Sequence, residues 1–251
     1  MKAIYRVAVM AAMVALLTSM PVYASEMDDR IESSARDSYV FKTYLKGDDI
    51  RIQSKDGAVT LTGVVSEESR RGLAKETVAG LPGVISVDNR LEVKGASPTP
   101  NSDAWLGEKV KTTLLFHRSV SAVTTEVGVK DGIVTLRGDA ASQAQKELTT
   151  EYAKDVEGVK GVNNEMTVSK SAEMTMAKVV AKIDDASITA QTKMTLLLHR
   201  STSALSTKVE TNDGTVTMYG KASNVAEKDL VTKLVNDING VKSVNNRMTI
   251  E

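Results

Sequence analysis

Three stretches of the chain, Ser54–Val93, Val129–Val168 and Thr211–Ile250, carry one pattern of apolar and polar positions, aligning over 40 residues without a gap. Each opens on strand-like residues and an Asp-Gly pair: Asp56-Gly57, Asp131-Gly132 or Asp213-Gly214. Asp-Gly tolerates the positive φ of a tight hairpin turn. A strict alternation follows (Val59, Leu61; Val134, Leu136; Val216, Met218), which predicts a strand with one face buried. Gly63, Gly138 and Gly220 close that strand, where a residue without a Cβ lets the chain turn sharply toward a helix. The period then changes to helical: Leu73, Val78, Leu81; Leu148, Tyr152, Val156; Leu230, Leu234, Ile238. These helices are expected to begin at Ser66, Ser142 and Ser223 as N-caps, with Gln145 completing a capping box in the second. They are expected to stop at Gly83, Gly158 and Gly240 in the left-handed C′ position, with Val84, Val159 and Val241 in the apolar slot behind. A last strand is expected over Val87–Val93, Val162–Val168 and Val244–Ile250.

A helical pattern also precedes each hairpin, over about 28–45, 103–116 and 185–198. The order in each unit is helix, strand, strand, helix, strand. The fold class is therefore α+β: three tandem α-β-β-α-β modules, each with two helices packed on one face of a three-stranded sheet. The pattern leaves strand order open. If the strands flanking the second helix pair in parallel, their crossover is right-handed. The division of the chain is 1–24, a signal peptide; 25–95, repeat one; 96–102, a Ser/Pro linker; 103–169, repeat two; 170–184, a Met- and Ala-rich linker of helical composition; and 185–251, repeat three.

The first 24 residues read differently from the rest. Lys2 and Arg6 are followed by an apolar run from Val7 to Leu17, then a polar break and Val22-Tyr23-Ala24. That is the order of an export signal, with cleavage after Ala24. The apolar run is too short for a membrane span, which takes about 20 residues. The chain has no cysteine, so it forms no disulfide and offers no cysteine for lipid attachment. A soluble, exported protein is expected.

The unit resembles the BON domain, a bacterial envelope module, through Asp131–Gly138 (DGIVTLRG), the second helix, and Gly158–Met166 (GVKGVNNEM), each with counterparts in the other repeats. The resemblance implies a non-catalytic, periplasmic protein of the osmotic-stress type. It also implies contact with phospholipid membrane surfaces or with other envelope proteins. Relatives of this type usually carry two such modules, so the third is a departure. A soluble partner-binding or chaperone-like protein without lipid contact is the alternative.

Charge argues for caution, since strong attraction to anionic lipid needs clustered Lys or Arg and the sequence shows none. The chain has 32 basic and 32 acidic residues and no polybasic tract, which argues against nucleic acid as a partner. His117 and His199 occupy the same repeat position, and each is followed by an arginine, Arg118 and Arg200. With no cysteine and no second histidine nearby, they fit a structural role at a helix end better than a metal site. No nucleophile elbow, P-loop or dinucleotide fingerprint occurs, so neither catalytic residue nor cofactor is expected. Asn89, Asn164 and Asn246 are expected to make structural hydrogen bonds from the last strand. Trp105 is the only tryptophan, and its side chain, apolar with one donor, suits a membrane interface. The candidate membrane or partner contacts are therefore Trp105, Phe116, His117, Arg118, His199 and Arg200. The oligomeric state is not fixed by the sequence.

Overall fold

In a computed structural model, which describes residues 21–95, 98–120, 122–169, 182–202 and 207–251, the Asp-Gly turns organise each module. Asp56, Asp131 and Asp213 adopt φ of 52°, 55° and 47°, with Gly57, Gly132 and Gly214 at 77°, 82° and 77°. The turns join β1 (Asp49–Lys55) to β2 (Ala58–Val65), β4 (Thr125–Lys130) to β5 (Ile133–Ala140), and β8 (Lys208–Asn212) to β9 (Thr215–Tyr219), which breaks at Gly220 and resumes as β10 (Lys221–Ala222), the partner of Thr249–Ile250 below. Each hairpin pair is antiparallel. The turn amides are held by a carboxylate from the helix before the hairpin. Asp103 Oδ2 and Oδ1 accept from the N–H groups of Asp131 and Gly132, both at 2.8 Å. Asp28 and Asp185 do the same for the first and third turns.

The final strands are β3 (Ser86–Val93), β6 (Gly161–Asn164) with β7 (Thr167–Val168), and β11 (Ser243–Asn246) with β12 (Thr249–Ile250). They run parallel to the second hairpin strand, which is therefore central: the first sheet has the order β1-β2-β3. In repeats two and three the last strand is split where one continuous strand was expected. Asn164 and Asn246 sit at the break: Oδ1 accepts from the amide of Met166 or Met248, at 2.9 and 3.0 Å, and Nδ2 donates to Lys146 O or Lys228 O, at 2.8 and 2.9 Å. The asparagine thus ties the last strand to the helix above it. Asn89 makes the same pair of bonds within an unbroken β3.

The second helices are α3 (Glu68–Ala79), α5 (Gln143–Lys154) and α7 (Val225–Asn236). Only Ser142 caps as expected, accepting from Gln145 N at 3.2 Å while Gln145 Oε1 accepts from Ala141 N at 2.7 Å. In repeat three the cap moves one residue on, to Asn224. In repeat one Glu67 stands at the N-cap without a side-chain cap bond. The helices also stop before the glycines expected to end them: Gly83, Gly158 and Gly240 have positive φ but lie in a following turn, beyond C-caps Gly80, Asp155 and Asp237. Gly63 and Gly138 do not close their strands either. They sit inside β2 and β5 at φ 119° and 117°, where a Cβ would strike the carbonyl oxygens of Asp49 and Thr124. Their role is close approach of two strands.

The first helices of repeats two and three, α4 (Asp103–Phe116) and α6 (Asp185–Leu198), have the expected bounds. In repeat one the expected helix is broken into α1 (Pro21–Asp37) and α2 (Tyr39–Thr43). The break falls at Ser38, which turns extended and whose hydroxyl donates to Ala35 O at 2.8 Å. Two amides freed by it are taken by repeat three: Tyr39 N–H donates to Asp184 Oδ2 at 2.7 Å, and Val40 N–H to Ser187 Oγ at 3.1 Å. Most of the expected signal peptide (residues 1–20) and of the expected second linker (170–181) lies outside the described residues.

The cores of repeats two and three are drawn from their own modules, but that of repeat one is not. Repeat one buries Ile31, Leu61, Leu73 and Val78 together with Phe116 from repeat two and Ala186, Ala190 and Met194 from repeat three. α6 lies along α3, where Gly72 and Gly80 leave room for Met194 and Ala186, and Lys193 pairs with Glu76 at 2.9 Å. One module of about 70 residues buries too little to be robust alone. Repeat one completes its interior with side chains borrowed from both neighbours.

Candidate functional site

The His-Arg segments leave the ends of α4 and α6 as C-caps, His117 and His199. Each reaches the exit of the second helix of the other repeat. Arg118 N–H donates to Asp237 O, and Arg200 N–H to Asp155 O, both at 2.9 Å. In return Asn239 N–H donates to Phe116 O at 2.9 Å, and Glu157 N–H to Leu198 O at 3.2 Å. The guanidinium of Arg118 donates to the carbonyls of Asn236 and Val241, and that of Arg200 to Val156 and Val159. Repeats two and three are thus clasped by two copies of one arrangement, as across a twofold axis.

The two halves of the clasp differ inside. On one side the His117 side chain is fully buried, with Nδ1 3.3 Å from Asp237 Oδ2 and its ring stacked on Tyr152 at 3.8 Å. Tyr152 donates to the same carboxylate at 2.6 Å, and Ser119 donates to Asp237 Oδ1. Burial pushes Asp237 up, but the His117 imidazole and the Ser119 and Tyr152 hydroxyls hold it below the usual carboxylate range. Burial, with Asp237 beside it, keeps the Tyr152 phenol protonated. On the other side His199 Nε2 lies 3.6 Å from Asp155 Oδ2. Burial lowers the His199 pKa against the pull of Asp155. Serine, histidine and aspartate do converge here, but Ser119 donates to Asp237 rather than to His117, and the imidazole is sealed from solvent. That is a packing and charge-locking arrangement, not an activated nucleophile. Among the described residues no group of three or more His, Asp or Glu is placed to hold a metal ion.

Of the six residues singled out from the sequence, the clasp gathers His117, Arg118, His199 and Arg200. Phe116 is 1% exposed and belongs to the interior of repeat one, with its ring edge-on to Tyr44 at 5.6 Å. Phe116 and His117 are interior groups rather than surface contacts. Trp105 stands apart on the first turn of α4, half-buried, with Lys109 Nζ 3.7 Å from the centre of its ring. Burial holds the Lys109 pKa below its usual value, with Glu157 opposing at 3.5 Å. The glycines expected as structural lie in the turns, strands and helix exits described above.

Asp155, Asp237 and Tyr152 were missed from the sequence, although a signal existed. Aspartate stands three residues before Gly158 and Gly240 but not before Gly83, where Gly80 takes its place. The aspartate and the His-Arg pair are present together in repeats two and three and absent together from repeat one. Leu148 was expected on the buried stripe of α5 but is 41% exposed, since that helix turns Gln145, Thr149 and Ala153 inward.

The family model for the BON domain matches three times, over residues 27–95, 102–170 and 184–251. The chain belongs to the BON domain family. Osmotically-inducible protein Y of Escherichia coli (strain K12) is 33% identical over 144 residues, covering 57% of this chain and 70% of that protein. The 21 kDa hemolysin of Actinobacillus pleuropneumoniae is 30% identical over 115 residues, 45% of this chain and 59% of that one. Outer membrane lipoprotein DolP of Haemophilus influenzae is 31% identical over 111 residues, 43% of this chain and 57% of that one. The three BON modules here are the three structural repeats. No helix among the described residues is long and apolar enough to cross a membrane.

Proposed function

We propose that this BON protein is a non-catalytic periplasmic component of the cell envelope, active under osmotic stress, and that it binds phospholipid surfaces. The signal-like first 24 residues and the likeness to osmotically-inducible protein Y and to an outer membrane lipoprotein support the setting. One observation carries the contact: Trp105 is half-buried on the first turn of α4, with part of its ring left to solvent beneath the ammonium of Lys109. A tryptophan ring, apolar with one donor, fits the headgroup layer, where it sits among acyl carbonyls. The other candidate groups are engaged within the molecule, which leaves Trp105 as the apolar side chain of that set able to meet a bilayer. The modules are held together, so the contact is a rigid surface rather than three beads on a string.

Flotation of residues 25–251 with phospholipid vesicles tests this reading. Co-flotation is expected, and the Trp105→Ala variant is expected to stay in the dense fraction. Absence of the wild-type chain from the floating fraction, at low and moderate salt and with anionic and zwitterionic lipid, removes the lipid reading. A partner protein then becomes the target.

A further inference from the structure

Repeats one and three contain corresponding grooves, and among the described residues only that of repeat one is walled by a neighbouring repeat. In repeat one a cavity of about 320 Å³ is lined by Thr43, Tyr44, Glu67, Ser69, Arg70 and Leu73, and its far wall is the end of α4 from repeat two, including Leu115 and Phe116. In repeat three a cavity of about 490 Å³ is lined by Arg200, Ser201, Asn224, Ala226, Glu227 and Leu230, with Thr202 and Ser223 beside them. The offset that carries Gly83 to Gly240 carries each of those six repeat-one positions onto its repeat-three counterpart. Among the described residues, everything lining the second groove comes from repeat three itself.

The plug is duplicated as well. The offset from Gly132 to Gly214 carries Leu115, packed against the repeat-one core, onto Leu197 near the end of α6. Leu197 is 51% exposed. Among the described residues, the repeat-one groove is thus walled by the end of α4, while the corresponding end of α6 stays exposed and the repeat-three groove is lined by its own repeat. Beside the repeat-three groove Asn224, Val225 and Ala226 stand where repeat one has Glu67, Glu68 and Ser69, and Val225 is 58% exposed, while Ser201 leaves free the space that Tyr44 takes in repeat one. Electrostatics favour the same partner. At the repeat-one groove the carbonyl end of α4 sits by the amide end of α3, and the end of α6 would meet the amide end of α7 in the same sense. The socket also adjoins an existing interface, because Arg200 forms part of the clasp.

We infer that this groove is a self-association site, and that a second copy of the chain fills it with the Leu197 end of α6. Plug and socket lie on the same repeat, so the contact forms either a closed pair or an open row of copies.

Sedimentation velocity of residues 25–251 over a wide concentration range tests the inference. The wild-type chain is expected to self-associate. Leu197→Asp and Leu230→Asp are each expected to weaken association roughly tenfold or more, since a charge replaces apolar burial at the contact. Leu197 is a surface residue, so its variant keeps the fold, which circular dichroism checks. Pairing Leu197→Lys with Leu230→Asp is expected to recover part of the loss. A wild-type chain that stays monomeric at every concentration overturns the inference. So does self-association that Leu197→Asp leaves unchanged.

Discussion

Replacing Phe116 by alanine gives the sharpest test of how the repeats interlock, because the residue belongs to one module by sequence and to another by packing. Its side chain is 1% exposed within the repeat-one interior, against Tyr44 and near Leu73. Truncating a buried phenylalanine costs about 3–5 kcal/mol. The open cavity of about 320 Å³ beside it lets the surroundings relax or admit water, so about 3 kcal/mol is expected. For a chain of this size that is a fall in melting temperature of roughly 6–12 °C. Calorimetry measures the fall, and hydrogen exchange read peptide by peptide locates it. Protection is expected to drop in Val59–Leu61 and Leu73–Val78, more than 35 residues upstream of the substitution. Loss of protection confined to α4 and its own sheet would refute the shared interior, whatever the melting temperature.

Other outcomes follow from the same contacts. Asp103→Ala removes both carboxylate bonds to the Asp131-Gly132 turn and is expected to cost about 2 kcal/mol, read by urea denaturation, with the hairpin amides exchanging faster. Gly138→Ala adds a Cβ against Thr124 at φ 117°, so a loss of more than about 2 kcal/mol is expected; a neutral result would mean that β4 and β5 separate without penalty. The clasp is expected to weaken in acid in two windows. His199 has a lowered pKa when folded, so its contribution is complete above the unfolded value of about 6.5 and is lost as pH falls below it. Asp237 is also lowered, so its contribution is complete above about pH 4 and is lost as pH falls through its folded value. Denaturant midpoints across pH 3–8 read both windows, and Asp237→Asn is expected to remove the lower one alone.

Local signals were legible wherever the physics is local. The Asp-Gly turns, the alternation of Val134 and Leu136, and the bounds of α4 and α6 all follow from periods and turn chemistry within a few residues. What could not be read was settled by other repeats. The break at Ser38 is stabilised by Asp184 and Ser187, some 145 residues away, and the burial of Phe116 needs the interior of repeat one. Repeat one also diverges in its caps. Ser66 looked like Ser142, but the carboxylate-bearing Glu67 beside it takes the N-cap position. The His-Arg pairs were visible as a repeated feature, but a single repeat does not show that Asp155 and Asp237 answer them. Their joint absence from repeat one was the readable clue.

Quenching of Trp105 emission by vesicles of brominated phospholipid tests the membrane account most directly, since the single tryptophan makes the signal unambiguous. A blue-shifted, strongly quenched emission is expected on titration with lipid, with no change in the buried His117–Asp237 clasp as followed by exchange. Emission that stays unshifted and unquenched while the protein is bound to vesicles would contradict the assignment of this surface.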